Sequence, residues 1–222
     1  MVSFSILTVS ALATLAVAAT VPSKAPPTQL SKTFELRLRL VNKKQDLPAG
    51  MDNARVVIDT ITDSDKYYRL VAVTGGHTRT YVVNGTKADV AHGKGTVLDN
   101  QDTSSGNVFL GKDSQKGSRP LRISTVASKL SPEAVTLSPA SDPYSYLLPK
   151  TNYVVCNNDT ASAAALAVQR PTISYPIRSL NSNDNVPDGC VPVRIYPLCS
   201  DSAANYPFAQ PSRCYPADGL PQ

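Results

Sequence analysis

The strongest constraint on the fold is a strictly alternating run at residues 34–40. It reads FELRLRL, with apolar side chains at the even positions and charged side chains between them. Successive side chains of a β-strand point to opposite faces, so this pattern places one face in a core and the other in water. A helix would scatter the same leucines around its circumference. We therefore predict a half-buried strand over residues 34–40.

Similar β-rich runs recur along the chain and are separated by short polar turns. The 18 prolines and 11 glycines interrupt helices and favour turns. The alanine-rich segment 161–168 is compatible with a short helix or with a loop and a strand. The sequence thus predicts a single, mainly antiparallel β-sandwich or barrel-like domain. The remaining predicted strands are 54–60, 67–73, 78–83, 96–98, 107–110, 121–123, 134–137, 146–148, 152–156, 171–175 and 190–196.

The N-terminal residues have the pattern of a secretion signal. Residues 4–18 are an uncharged, largely apolar run that is shorter than a membrane span and ends in small residues. We predict a signal peptide over residues 1–18, with cleavage after Ala18 or Ala19. A flexible leader over 19–32, a β domain over 33–198 and a Pro-rich tail over 199–222 follow. The expected location is extracellular or in the cell wall, with no membrane partner.

Four cysteines in a chain with such a signal predict two disulfides. Three pairings are possible, and we favour Cys156 with Cys190 and Cys199 with Cys214. The first pair would join the ends of two strands, and the second would hold the tail to the β domain. A metal site is the competing interpretation, but the close Cys-x-x-Cys pairs that thiolate sites use do not occur in the sequence.

Two sequons also fit secretion. Asn84-Gly85-Thr86 and Asn158-Asp159-Thr160 are acceptors for N-linked glycans. An Asn-Gly pair favours positive φ at both turn positions and is a strong hairpin signal. We therefore expect a glycan on Asn84 at an exposed hairpin tip.

Candidate binding residues are few. The chain carries a net charge of +5, with basic residues mostly scattered. Arg37, Arg39, Lys43 and Lys44 form one group that could bind an anionic glycan, although a solvated strand face is the simpler interpretation. Aromatic residues are not interleaved with this group, so we expect no nucleic-acid partner. Tyrosine next to proline recurs at five places, where packing in turns is a simpler account than a sugar-stacking surface.

The sequence contains no recognisable catalytic constellation. A Gly-x-Ser-x-Gly elbow is absent, and Glu35 and Glu133 are the two glutamates. Glycoside hydrolysis needs two carboxylates across the bond that breaks. His77 and His92 lack an obvious third ligand for a metal, and we read them as exposed loop residues. We predict no metal and no cofactor.

These features together resemble a group of small secreted fungal proteins of uncharacterised function. The resemblance rests on the signal peptide, the early strand 34–38, the run Tyr153-Val154-Val155-Cys156 and the segment 188–193. It implies an extracellular β domain over about residues 33–198 in which Cys156 pairs with Cys190. It brings no catalytic residues with it.

We therefore expect a secreted, non-catalytic protein with a structural or binding role at the cell surface or in the extracellular matrix, including an effector-like role. The expected partner is a cell-wall or extracellular glycan, or a surface protein of a host. The alternative is a carbohydrate-active or other secreted hydrolase that uses aspartates the sequence does not mark. A concave pocket with two convergent carboxylates would distinguish it.

Overall fold

A computed structural model describes most of the chain that follows the predicted signal peptide. The described residues are 25–45, 50–63, 67–76, 78–100, 106–112, 118–124, 133–149, 152–157, 174–181 and 184–221. The predictions for the signal peptide, for His77, for the sequon at Asn158 and for residues 161–168 lie outside these ranges.

The described part is mainly β-structure with almost no helix, which confirms the predicted class. One short helix, α1 (Lys87–Ala91), and a 3-10 turn (Lys43–Gln45) accompany the strands. The strands are β1 (Gln29–Ser31), β2 (Thr33–Leu40), β3 (Arg55–Asp63), β4 (Tyr67–Val73), β5 (Thr80–Asn84), β6 (Thr96–Asp99), β7 (Val108–Leu110), β8 (Ser118–Ser124), β9 (Thr136–Leu137), β10 (Leu147–Leu148), β11 (Asn152–Cys156), β12 (Ser174–Leu180), β13 (Cys190–Ser200) and β14 (Ser212–Cys214).

The main sheet contains twelve strands, and its neighbouring strands are antiparallel. Its order is β10-β9-β6-β5-β2-β13-β11-β12-β4-β8-β7, with β3 paired to both β2 and β4. At its centre, β2 and β13 form eight consecutive pairs, from Thr33 opposite Ser200 to Leu40 opposite Val193. Strands β1 and β14 form a separate two-stranded sheet. The predicted strand 152–156 is confirmed as β11, which pairs with both β12 and β13.

The main sheet curves until its two ends meet. Val135, just before β9, accepts a hydrogen bond from Val97 on β6 (3.0 Å) and donates one to Val108 on β7 (2.9 Å). Asp99 at the end of β6 also donates to Gly106 beside β7 (3.0 Å). The sheet is therefore closed, in the barrel-like form of the predicted class, and these strands leave few unpaired backbone groups.

One large core fills the space that the closed sheet surrounds. Phe34, Leu36 and Leu38 of β2 are fully buried there and meet apolar side chains from the other strands. The alternation seen in the sequence therefore sets the inner face of β2. Its charged face was expected in water, but Arg37 and Arg39 are half-buried because side chains and the C-terminal segment cover them.

The tight turn predicted at Asn84-Gly85 is wrong, although the strands on either side of it, β5 and β6, do pair in antiparallel fashion. Strand β5 ends at Asn84, and Thr86 then caps helix α1. The Asp89 carboxylate accepts a hydrogen bond from the Thr86 backbone N–H (2.9 Å), and Thr86 Oγ1 accepts one from the Asp89 backbone N–H (3.1 Å). This reciprocal capping box satisfies two helix-end donors. Gly85 still has a positive φ of 144°, but the segment continues into a helix instead of turning back at once.

The described part of the predicted leader and the predicted tail contribute strands to the fold. Residues 29–31, which lie within the predicted leader, form β1 and pair with β14 of the predicted tail. Strand β13 continues through the predicted boundary at residue 199. Cys214 and Tyr215 of the tail are fully buried, and Cys214 belongs to the main core. These pairings join segments far apart in sequence, so no local pattern marks them.

Both predicted disulfides are confirmed. Cys156 and Cys190 lie directly opposite each other on β11 and β13. Cys199 and Cys214 join β13 to β14 and close a loop with a sequence separation of 15. A closed loop of that length stabilises a fold by about 3 kcal/mol in the chain-entropy account.

A core substitution on β2 tests this architecture. Leu38→Ala should lower the free energy of unfolding by about 2–5 kcal/mol, because it removes fully buried atoms and leaves a cavity. Leu30 on β1 is 71% exposed, so Leu30→Ala is a matched control that should change stability by about 0.5 kcal/mol or less. Urea denaturation of both variants measures the difference, and equal losses would contradict the assignment of β2 to the core.

Candidate functional site

A cleft of about 450 Å³ opens on the side of the sheet where β7, β8 and β10 approach residues 133–136. Its wall is largely apolar and includes one ion pair, between Arg119 and Glu133. A volume of this size suits a small organic molecule. The lining residues are Leu110, Arg119, Glu133, Ala134, Thr136, Leu148 and Pro149.

Arg119 is held in place by the backbone of the strand beside it. Its Nε donates to the Gly111 carbonyl (3.0 Å), and its Nη2 donates to the Leu110 carbonyl (3.1 Å) and pairs with Glu133. Within the described residues, the second terminal nitrogen, Nη1, makes no hydrogen bond. The guanidinium therefore sits in the cleft wall with a fixed orientation. The two N–H groups of Nη1 are not used by the groups that hold it in place.

The cleft differs from the site that the hydrolase alternative requires. Among its lining residues, Glu133 is the one carboxylate, and it is paired with Arg119. The other glutamate, Glu35, receives two hydrogen bonds from Arg37, at 3.0 and 2.7 Å. A two-carboxylate mechanism needs an acid and a base on either side of the substrate. The described residues that line the cleft therefore do not provide the two carboxylates that such a mechanism needs.

The four residues of the predicted basic group differ in their surroundings: the two arginines are in ion pairs and the two lysines are exposed. Arg37 pairs with Glu35 at 2.7 Å. Arg39 pairs with Asp52 at 2.9 Å and also donates to the carbonyl of Pro221 (2.9 Å). Lys43 and Lys44 are exposed on the 3-10 turn. Two of the four charges are thus compensated by neighbouring carboxylates, which weakens the local field that an anionic glycan would meet.

The loop between Cys199 and Cys214, here called the tail loop, is fixed to the sheet. Asn100, just after β6, exchanges hydrogen bonds with it: its Oδ1 accepts from the Asn205 backbone (2.8 Å) and its Nδ2 donates to the Ala203 carbonyl (2.9 Å). The Gln210 backbone donates to the Val83 carbonyl on β5 (2.9 Å). With a disulfide at its base, the tail loop is held at both ends and in its middle.

The tail loop presents aromatic side chains at its surface. Ala209 is buried against Val82 and Leu98, on the outer face of β5 and β6. Its neighbour Phe208 is 66% exposed, and the ring of Phe208 packs edge-to-face on Tyr206 with centroids 5.8 Å apart. Ala209 thus fixes the backbone while Phe208 projects outward.

The tyrosines beside prolines separate into two groups. Tyr175, Tyr196 and Tyr215 are buried, which agrees with the packing interpretation. Tyr144 and Tyr206 are half-buried, and Tyr206 lies beside Phe208 on the tail loop. No motif in the sequence singles out Phe208. The available signal was an aromatic residue between prolines in an otherwise polar tail, and this pattern is also common in ordinary turns.

Arg213, the basic residue of the tail loop, makes its hydrogen bonds within the fold. Arg213 donates to three carbonyls of one segment, those of Asp142 (2.8 Å), Pro139 (2.9 Å) and Tyr144 (3.1 Å). In the same segment the hydroxyl of Tyr146 donates to Asp142 (2.7 Å). Burial, and then this hydrogen bond, raises the pKa of Tyr146 to about 12.

The remaining predicted sites do not converge. Asn84 is half-buried at the end of β5, opposite Thr96. His92 is exposed, and its Nδ1 donates to the Ala88 carbonyl at 2.8 Å. Among the residues that the structure describes, no three His, Cys, Asp or Glu side chains group as metal ligands would. In the same ranges, no helix is long and apolar enough to cross a membrane.

Comparison with known proteins gives one significant similarity. The chain is 24% identical over 201 residues to Antigenic protein SchS34 from the fungus Stachybotrys chartarum, a match that covers 86% of this chain and 88% of that protein. No protein-family model and no solved structure matches the chain. This similarity is consistent with a fungal protein of unclear function, as the resemblance implied.

The Asp142–Tyr146 contact can be tested by titration. Asp142→Asn should lower the pKa of Tyr146 from about 12 towards, but not fully to, its ordinary 10.0, because burial is the larger cause and remains. Ultraviolet absorbance of tyrosinate measures the change, and Tyr146→Phe identifies the signal. An unchanged titration in Asp142→Asn would contradict the contact.

The same shift predicts a pH dependence of stability. The pKa of Tyr146 is higher in the folded chain than its ordinary value of 10.0. Its contribution is therefore complete below about pH 10 and is lost as the pH rises towards 12. Tyr146→Phe should abolish this part of the alkaline loss in urea denaturation.

Proposed function

We propose that this chain is a secreted, non-catalytic protein that binds a neutral cell-wall or extracellular glycan through the tail loop. The observation that carries the proposal is Phe208, which is 66% exposed on a loop immobilised by a disulfide and by Asn100. A fixed exposed ring is suited to binding because little conformational freedom is lost when a partner packs on it.

The chemistry around Phe208 favours a sugar. The C–H groups of a sugar ring pack on the electron-rich face of an aromatic side chain. Asn205 is exposed and Gln210 is half-exposed on the same loop, and amides can meet hydroxyl groups. A hydrophobic protein partner would need a larger apolar patch than one ring and its neighbour offer.

The charge distribution favours a neutral glycan over an anionic one. Arg213 is committed to three backbone carbonyls, and Arg37 and Arg39 are paired with carboxylates. Binding that depends on the tail loop should therefore vary little with salt, because long-range attraction contributes little to it.

Three features support secretion. The N-terminal run has the pattern of a signal peptide. All four cysteines are in disulfides, which persist in oxidising compartments. The fungal relative is described as antigenic, which suits a protein that leaves the cell.

Secretion and glycosylation can be tested together in a fungal host. The protein should accumulate in the medium with an N-terminus at Ala19 or Thr20, and removal of N-linked glycans should reduce its apparent mass. Asn84→Gln and Asn158→Gln should each remove one glycan. Retention of the full-length chain in cells would contradict secretion, and unchanged mass in both variants would contradict glycosylation.

The binding proposal can be tested by pull-down on insoluble β-glucan and chitin. The mature protein should bind at least one of them, and Phe208→Ala should weaken binding by about tenfold, the loss expected for a central aromatic contact. Val41 is 55% exposed on a different surface, so Val41→Ala is a matched control that should bind normally.

Two outcomes would overturn this proposal. Salt-sensitive binding to polygalacturonate that is lost in Lys43→Ala and Lys44→Ala would favour the anionic-glycan site. Capture of a host surface protein without binding to either neutral glycan would favour a protein partner.

A further inference from the structure

We propose that the cleft beside Arg119 is a second, separate binding site, for a small neutral molecule with an apolar body and one hydrogen-bond acceptor such as a carbonyl group. The proposal does not depend on the tail loop, because the cleft and the loop share no residues. It rests on the shape of the cleft, the fixed guanidinium in its wall and the balance of charge around that group.

The guanidinium supplies a directed donor. Its Nε and Nη2 are used by the Gly111 and Leu110 carbonyls and by Glu133, which fixes the plane of the group. Its Nη1 makes no hydrogen bond within the described residues, and the side chain keeps 27% of its surface exposed. A donor that is already oriented loses little freedom when an acceptor arrives.

The charge around the donor selects a neutral acceptor. Glu133 lies against Arg119, so the pair together carries no net charge. A carboxylate ligand placed at Nη1 would meet the repulsion of Glu133, whereas a ketone, ester or amide oxygen would not. A ligand without any acceptor would leave the donor without a partner in the bound state, which is unfavourable.

The other residues that line the cleft determine the size and polarity of the ligand's body. Leu110, Ala134, Leu148 and Pro149 present apolar surface, and Thr136 is the remaining polar neighbour. The volume of about 450 Å³ accommodates a two-ring body with a short substituent. The side chains that form this surface come from four separate stretches of the chain, so binding would also tie those stretches together.

Calorimetry with three matched probes tests the proposal on the mature, disulfide-bonded protein. The probes are acetylnaphthalene, naphthoate and isopropenylnaphthalene, which share one body and differ in carrying a neutral acceptor, an anionic acceptor and none. Acetylnaphthalene should bind at least about tenfold more tightly than either of the others. The Nε signal of Arg119 in a nitrogen-resolved NMR spectrum should shift on its addition.

Variants separate the donor from the shape of the cleft. Arg119→Lys should remove most of the preference for the acetyl probe, because the ammonium group lacks the forked geometry. Ala134→Phe should fill the cleft and weaken all three probes while leaving Arg119 intact, and so it serves if Arg119→Lys fails to fold. Phe208→Ala should leave the probes unaffected, although it is expected to weaken glycan binding about tenfold.

The outcomes are distinct. Equal affinity for the three probes, stronger binding of naphthoate, or no binding of acetylnaphthalene at about 1 mM would each overturn the proposal. Normal probe binding in Ala134→Phe would place the ligand elsewhere and would also overturn it. Loss of glycan binding with normal probe binding would bear only on the tail loop.

Discussion

The structure depends on the ladder between β2 and β13. Its eight consecutive pairs bring an early strand against a late one at the centre of the main sheet. The alternation of β2 then places Phe34, Leu36 and Leu38 in the core, while β13 passes the pairing on to β11. Each disulfide includes a cysteine of β13. The core, the tail loop and both covalent links are therefore organised around this one contact.

Closure of the sheet explains where the two candidate sites lie. Residues 133–135 bridge β6 and β7, which brings Glu133 next to the end of β7 and thus to Arg119. On the other side of β6, the outer face of Val82 and Leu98 is covered by the tail loop, and this contact turns Phe208 outward. The position of the cleft follows from the contact of residues 133–135 with β6 and β7, and the position of the tail loop follows from its packing on β5 and β6.

Local signals in the sequence predicted the parts of the fold that local physics decides. The alternation at residues 34–40 identified β2, and the β-rich flanks of Cys156 and Cys190 identified β11 and β13 with their disulfide. The tight turn predicted at Asn84-Gly85 did not form because Thr86 and Asp89 form a capping box, a competing local preference two residues later. The pairing of β1 with β14, and the meeting of Arg119 with Glu133, join segments that no periodicity connects. Long-range pairings of this kind are decided by the whole sheet, so the sequence alone could not locate the cleft.

The β2–β13 ladder also has a consequence for how the chain reaches its native state. Thr33 and Ser200 contact each other across a sequence separation of 167 residues. During synthesis, the apolar face of β2 is complete long before its partner has left the ribosome. Contacts of such long range also slow folding. The nascent chain thus carries β2 without its longest partner strand until β13 has been made, and the edge of β2 that β13 later covers stays open during that interval.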